Sequence, residues 1–242
     1  MKAVILAAGK GTRMRNLTAE CPKPMLKVHG KPILQHIIDG LKHNGIKEFC
    51  IITGWHAEVI EDYFGDGATQ QIRVTYIRQT SQDGTGKATE LAKDFVGNDN
   101  FLLTYGDILV KEHTYTEMVQ RFESANSDGV ITGTPGEDVR KGGCLFFDRD
   151  FNLIRLVEKP SDEQLAALKA EGLLKENSEI YYNSGIYIFT PKLFEFTVKL
   201  EKSPRGEYEL TDAIIQYYKN GLKLSGLKIA DRWVDVRDPE VL

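Results

Sequence analysis

The chain reads as an α/β protein with a doubly wound, mixed sheet, and three observations lead there. Short apolar runs alternate with amphipathic helical patterns up to about residue 127. From about residue 128 strands follow one another, with one clear helix among them. No Pro/Gly/Ser-rich linker parts these stretches, so 1–242 reads as a single domain with two halves, about 1–127 and about 128–242.

In the first half, Ala3 to Ala8 is a buried strand. Pro32 then opens a helix with Ile33, Leu34, Ile37, Ile38 and Leu41 on one face, ending near Asn44-Gly45. Phe49 to Thr53 is a strand, Glu58 to Phe64 a helix stopped by Gly65, and Val74 to Gln79 the next strand. After Asp83-Gly84, Thr85 to Phe95 places Ala88, Leu91, Ala92 and Phe95 on one helical stripe. Phe101 to Tyr105 is a strand ending at Gly106-Asp107, and Thr114-x-x-Glu117 predicts a capping box ahead of Met118, Phe122 and Ala125. In the second half, Val130–Thr134, Cys144–Phe147, Ile154–Glu158 and Tyr182–Thr190 are strand candidates. Ser161-x-x-Gln164 caps the helix among them, and Thr211 is predicted to cap a later one with Leu210 and Ile215 as its hydrophobic staple. The succession of strands implies an antiparallel portion on the substrate side of the sheet.

The 242 residues, 41% hydrophobic and 27% charged, suffice for a core without disulfide or metal staples. A formal net charge of −4 argues against nucleic acid or an anionic membrane as partner. Cys21, Cys50 and Cys144 lie far apart without C-x-x-C spacing, which argues against a zinc site or disulfide framework. The N-terminal apolar run stops at Gly9-Lys10, too short for a signal peptide or membrane span, so a cytoplasmic location is expected.

The most informative stretch runs from Leu6 to Met14, followed by Pro22-Lys23-Pro24-Met25-Leu26. An apolar strand feeds a loop with Gly9, Gly11 and Thr12, and Lys10, Arg13 and Lys23 supply positive charge. Bare N–H groups in such a loop form a concave anion site, which makes phosphate the expected ligand. A Walker loop is absent, and a dinucleotide fingerprint fails because Met14 stands where its third glycine belongs. Ligands of open α/β sheets sit at the carboxyl ends of strands, where Gly9–Arg13, Gln79–Gly84 and Gly106-Asp107 all fall. Asp107 alone could be a turn aspartate, and Asp235 in Trp233-Val234-Asp235-Val236 a solvated strand end; together they suit Mg²⁺.

Taken in order, Leu6–Met14, Pro22–Leu26, Gln79–Thr85, Tyr105-Gly106-Asp107, Val157-Glu158-Lys159-Pro160, Asn183-Ser184-Gly185 and Trp233-Val234-Asp235 resemble the sugar-1-phosphate nucleotidylyltransferases over nearly the whole chain. Gln79–Gly84 looks most like the glucose-1-phosphate thymidylyltransferases, and Gly84-Thr85-Gly86 with Asn183 more like uridylyltransferases. The resemblance implies a Rossmann-like fold of the nucleotide-diphospho-sugar transferase type. It implies Mg²⁺-assisted attack of a hexose-1-phosphate on the α-phosphorus of UTP or dTTP, releasing pyrophosphate. The sugar phosphate is already anionic, so no general base is needed and charge neutralisation is the main task.

By the same resemblance, Arg13, Lys23, Lys159 and Asp107 are the catalytic candidates, and Asp107 and Asp235 the metal ligands. Arg13 follows the triphosphate, Lys23 the reacting phosphates, and Lys159 the sugar phosphate. Leu6, Ala7, Ala8, Gly9, Gly11 and Thr12 form the nucleotide loop, with Gln79, Gly84 and Thr85 beside the base. A glutamine amide offers one donor and one acceptor, the complement of a uracil or thymine edge. Gly143, Glu158, Lys159, Asn183, Arg205 and Glu207 are expected around the sugar phosphate, and Trp233 either stacks on the sugar or fills the core. Where many members carry a proline after this loop, Met14-Arg15-Asn16-Leu17-Thr18 has none, which predicts a loop that is floppier or differently shaped. Use of CTP, GTP or a non-hexose phosphate, or a non-catalytic nucleotide-sugar regulator, stays open, as does assembly into a homo-oligomer.

Overall fold

A computed structural model describes residues 1–173 and 179–236. Its centre is a nine-stranded sheet running through both halves. Four parallel strands form one side: β1 (Lys2–Leu6), β4 (Glu48–Thr53), β5 (Arg73–Arg78) and β6 (Phe101–Tyr105), in the order β6-β1-β4-β5. Between β1 and β4 lies a short ribbon of β2 (Lys27–Val28) and β3 (Lys31–Pro32).

β1 explains the two-sided core. Ala3 and Ile5 join one apolar cluster, while Val4 and Leu6 join the other. Such a strand is apolar throughout because helices cover both faces. On the first face lie α1 (Ile33–His43), α2 (Ala57–Phe64) and α5 (Glu112–Ser124), contributing Ile37, Ile60 and Met118 among others. On the second lie α3 (Thr85–Glu90), α4 (Lys93–Val96), α7 (Phe194–Thr197) and α8 (Leu210–Lys219), with Ala88, Ala92, Val96, Phe194 and Ile214 buried.

The antiparallel part joins through β11 (Tyr181–Phe189), whose residues Ile186–Phe189 pair with β6. Beyond the end of β6 the start of β11 pairs with β9 (Gly143–Phe147), and β9 pairs with β10 (Leu153–Glu158). Along its other edge β11 meets β8 (Gly129–Pro135), which pairs in parallel with β12 (Leu224–Lys228). Helix α6 (Asp162–Ala170) follows β10, with the predicted Ser161/Gln164 capping box formed on both sides. A two-residue ribbon joins β7 (Ile108–Leu109) to β13 (Val234–Asp235). Among the described residues, no helix is long and apolar enough to cross a membrane.

Several local expectations need correction. Helix α5 starts at Glu112 after the extended Lys111, so Thr114 and Glu117 lie inside it and form no capping box. Its start is tied to the end of α1: Asn44 donates through Nδ2 to the Glu112 carbonyl, and Thr116 Oγ1 donates to Asn44 Oδ1. Thr211 likewise lies within α8, whose N-cap is Glu209. The donor left at that end, the Leu210 N–H, is accepted by Thr85 Oγ1 at 3.1 Å. The predicted helix over 85–95 breaks into α3 and α4, with Leu91 exposed and Ala88, Ala92 and Val96 making the buried stripe. Strand β12 was given no element in the sequence reading.

Candidate active site

Both ladders flanking β1 continue past its end. Ala7 N–H donates to the Ile52 carbonyl at 2.8 Å, and Gly106 N–H donates to the Leu6 carbonyl at 2.9 Å. The loop that follows is therefore launched between two parallel neighbours at the carboxyl edge of the sheet. Gly11 has φ +60°, and a Cβ there would stand 3.0 Å from Lys23 Cβ. An added Cβ at Gly9 would meet no protein atom within 4 Å, so that residue's smallness serves the open cleft rather than packing. Residues Thr12–Thr18 wind into a 3₁₀ helix held by Met14 N–H on the Gly11 carbonyl, with Met14 buried. The side chains of Arg13, Arg15 and Asn16 lie outside the described part.

A cleft of about 560 Å³ opens above these strand ends. Leu6, Ala7, Ala8, Gly9, Gly11 and Thr12 form one wall, with Lys23, Asp107 and Asp235 beside them. Gln79, Gly84 and Thr85, which follow β5, also line the cleft, as do Gly143, Glu158, Lys159, Asn183, Arg205 and Glu207 from the antiparallel half. The structure thus brings together every expected site residue whose side chain it describes.

At the centre, Lys23 Nζ donates to Asp107 Oδ2 at 2.5 Å and stands 3.8 Å from Asp235 Oδ1. The small ribbon explains this meeting: Asp235 pairs with Ile108, and Val236 N–H donates to the Asp107 carbonyl at 3.0 Å. Two carboxylates facing one space suit Mg²⁺, which commonly takes one or two carboxylates and completes its shell with water and phosphate oxygens. No group of three or more His, Cys, Asp or Glu side chains fit for a metal exists among the described residues, so phosphate oxygens would have to supply further ligands.

Just past β5, Gln79 donates through Nε2 to the Gly84 carbonyl at 3.2 Å and to Asp83 Oδ1 at 3.3 Å, which orients its amide. Gly84 takes φ +120° against the Tyr208 backbone, where a Cβ would come within 2.6 Å of the Tyr208 nitrogen. Tyr208 N–H donates to the Asp83 carbonyl and Gly86 N–H to the Tyr208 carbonyl, each at 2.8 Å. The loop after β5 and the loop before α8 are therefore joined backbone to backbone.

On the antiparallel side, β11 bulges between Asn183 and Tyr187, with Gly185 at φ +77°. The bulge holds Asn183 against Gly143, where an added Cβ would lie 2.9 Å from Asn183 Cβ. Lys159 follows β10 with φ +43°, an uncommon conformation for a non-glycine residue, fixed by its N–H on the Gly142 carbonyl at 2.8 Å. Burial pushes the Glu158 carboxyl above its ordinary pKa, with Lys159 and Arg205 acting against that rise and Glu209 adding to it. Arg205 grips Glu209 at 2.6 Å and lies 3.9 Å from Glu158, and Ser203 Oγ also donates to Glu209 at 3.1 Å. Trp233 is half-buried and packs against the core beside Tyr182, donating its indole N–H to the Ser184 carbonyl at 2.9 Å.

Sequence reasoning missed Gln82, Tyr105, Lys141, Tyr182, Glu209 and Thr211, all of which line the cleft. Gln82 falls within a quoted motif and donates to the Ala8 carbonyl at 2.9 Å. Glu209 carries no local signal, because its role depends on Arg205.

Comparisons with known proteins follow this geometry. The low-salt glycan biosynthesis nucleotidyltransferase Agl11 of Haloferax volcanii is 33% identical over 99% of this chain and 63% of its own length. The bifunctional protein GlmU of Methanocaldococcus jannaschii is 35% identical over 99% of this chain and 52% of its own. The chain thus spans about half to two-thirds of these relatives. The UTP–glucose-1-phosphate uridylyltransferase AglF of H. volcanii is 30% identical over 99% of this chain and 93% of its own length. A Bacillus anthracis structure with sucrose bound, assigned as a glucose-1-phosphate thymidylyltransferase, superposes with a TM-score of 0.82 at 28% identity, over 99% of this chain and 91% of that one. A UDP-glucose pyrophosphorylase with bound UDP-glucose shares the fold, with a TM-score of 0.81 at 23% identity over 99% and 94%. With the family's sequence model matching residues 2–242, the chain belongs to the nucleotidyl transferase family.

Proposed function

We propose that this protein transfers a nucleotidyl group from UTP or dTTP to a hexose-1-phosphate. A phosphate oxygen of the sugar phosphate forms a bond to the α-phosphorus, the bond from that phosphorus to the bridging oxygen of the β-phosphate breaks, and pyrophosphate leaves. The observation that carries this reading is the Lys23 ammonium between Asp107 and Asp235, in the same cleft as the glycine loop. Asp107 and Asp235 would hold Mg²⁺, which when bound offsets the charge of the phosphate oxygens.

The chain's own groups do the rest. Backbone N–H groups of the Gly9–Thr12 loop face the triphosphate, and Lys23 and Arg13 add positive charge along it. Lys159 meets the sugar phosphate, while Glu158 accepts hydrogen bonds from sugar hydroxyls. On this reading the Gln79 carbonyl oxygen accepts from the N3–H of a uracil or thymine, its Nε2 being engaged with Gly84 and Asp83, and a base without that donor would bind more weakly by about 1–3 kcal/mol. The names of AglF and of the B. anthracis protein support uridine or thymidine, and glucose-1-phosphate as the first acceptor to try.

The test is pyrophosphate release with Mg²⁺, a panel of nucleoside triphosphates and a panel of sugar-1-phosphates, phosphocholine included. UTP or dTTP with a hexose-1-phosphate is expected to give the fastest release. No release from any pair, with nucleotide-sugar binding retained, overturns transfer in favour of a regulator. Asp107→Asn is expected to lower kcat by about three orders of magnitude with an unchanged circular dichroism spectrum.

A further inference from the structure

Outside the cleft, the turn after β4 directs its polar groups at the phosphate loop. Trp55 N–H donates to the Ala8 carbonyl at 3.2 Å. The indole N–H of Trp55 donates to the Thr18 carbonyl at 3.1 Å. His56 Nε2 lies 2.9 Å from the Ala19 carbonyl. Ala8 opens the loop and Thr18-Ala19 closes it, so one tripeptide holds both ends. Gly54 makes the approach possible, since a Cβ there would stand 2.6 Å from the Ala8 carbonyl oxygen. The loop's Lys10 ammonium lies 5.2 Å from the centre of the Trp55 ring, within cation–π range.

This arrangement is not what apolar packing alone would leave. Gly54, Trp55 and His56 are all only half-buried, yet each polar group named above meets the loop. His56 holds a left-handed φ of +49°, a costly conformation for a non-glycine residue, and in it the ring spans from Ala19 to Glu58 Oε1, 3.0 Å from Nδ1. Both partners are acceptors, so a neutral ring can donate to one of them and the protonated ring to both. The chain thus stays in a strained conformation that aims a donor at the end of the loop.

We propose that Gly54-Trp55-His56 is a positioning clamp that sets the span of the Gly9–Thr18 loop and thereby its grip on the triphosphate of the nucleotide. Neither side chain touches the cleft; both act through the backbone carbonyls they hold. The clamp rests on the nucleotidyl-transfer reading for its ligand, though not for its geometry.

The test compares Trp55→Phe, which keeps the ring under Lys10 but removes the indole N–H, with His56→Ala, which removes the donor to Ala19. Each is expected to raise KM for UTP or dTTP by about three- to ten-fold while KM for the sugar-1-phosphate stays within about two-fold. In the ligand-free protein, amide hydrogen exchange across residues 9–19 is expected to speed up by about ten-fold, with β4 and β6 unchanged. Equal rises in both KM values, or loop exchange at the wild-type rate in both variants, would overturn the clamp. If wild-type protein transfers no nucleotidyl group, the functional reading fails, and the exchange measurement still decides whether the turn holds the loop.

Discussion

The two ends of the cleft are built by different means. At one end the loops leave the parallel strands, and the wall is the short Gly9–Thr12 loop, launched by ladder bonds on both sides of β1, with Lys23, Asp107 and Asp235 beside it. At the other the sheet is antiparallel, and the lining side chains Glu158, Lys159, Asn183 and Arg205 are presented by strand ends, a bulge and a surface loop. Loop amides suit any phosphate, whereas a set of charged side chains selects among shapes and hydroxyl patterns.

The comparison breaks most sharply at the seam between the ends. Gly84→Ala would force a side chain at φ +120° against the Tyr208 backbone, at a cost of roughly 3 kcal/mol. Because that contact joins both loops, KM for both substrates is expected to rise together and the melting temperature to fall. A rise confined to the nucleotide would show that the two ends are independent.

A smaller effect sharpens the side-chain character of the sugar end. The folded-state pKa of Glu158 is raised, chiefly by burial, so the folded state binds more protons than the unfolded one between the ordinary carboxylate value and the raised one. Stability linked to this group is present at lower pH and lost as pH rises through that window. Glu158→Gln is accordingly expected to raise the melting temperature at neutral pH by about 2 °C while lowering turnover, as scanning calorimetry and pyrophosphate release would show. A lower melting temperature would mean that the pairing with Lys159 and Arg205 outweighs the burial.

The smallest effect distinguishes the thiols. Burial pushes Cys50 and Cys144 up to about 12, and both are fully buried in the sheet core. Cys21, at the exit of the phosphate loop, is raised less and is half-buried. Native protein is expected to react with a thiol reagent at Cys21 first, and UTP is expected to slow that reaction. Equal reactivity at Cys144 would show that the antiparallel half opens more readily than the parallel one.

The alternation of strands and helices, the Ser161 capping box and the glycine loop were legible because each signal lies within a few consecutive residues. What sequence could not show depends on distant partners. Thr211 resembles a cap, yet the donor at the start of α8 is taken by Thr85, 125 residues earlier. Thr114 and Glu117 form a capping signature inside a helix whose start is tied to Asn44. Strand β12, Leu-Ser-Gly-Leu-Lys, lacks strong alternation and owes its conformation to the edge of β8. The cleft residues Gly9, Gly11, Thr12, Gln79 and Gly84 lie within contiguous motifs, whereas Glu209 lines the cleft in an ion pair with Arg205 that no short motif announces.

The pairing of Asp107 with Asp235 also bears on how the protein comes into being. These residues are 128 positions apart, and the two-residue ribbon of β7 and β13, with the Val236 N–H on the Asp107 carbonyl, brings them face to face. Domains fold as they emerge from the ribosome, N-terminal parts first. The glycine loop and the parallel strands can form on a nascent chain, but the second carboxylate arrives only after every strand of the central sheet has been made. A chain that has emerged as far as β12 holds half of the acidic pair, so the pair is assembled after the sheet that carries its first member.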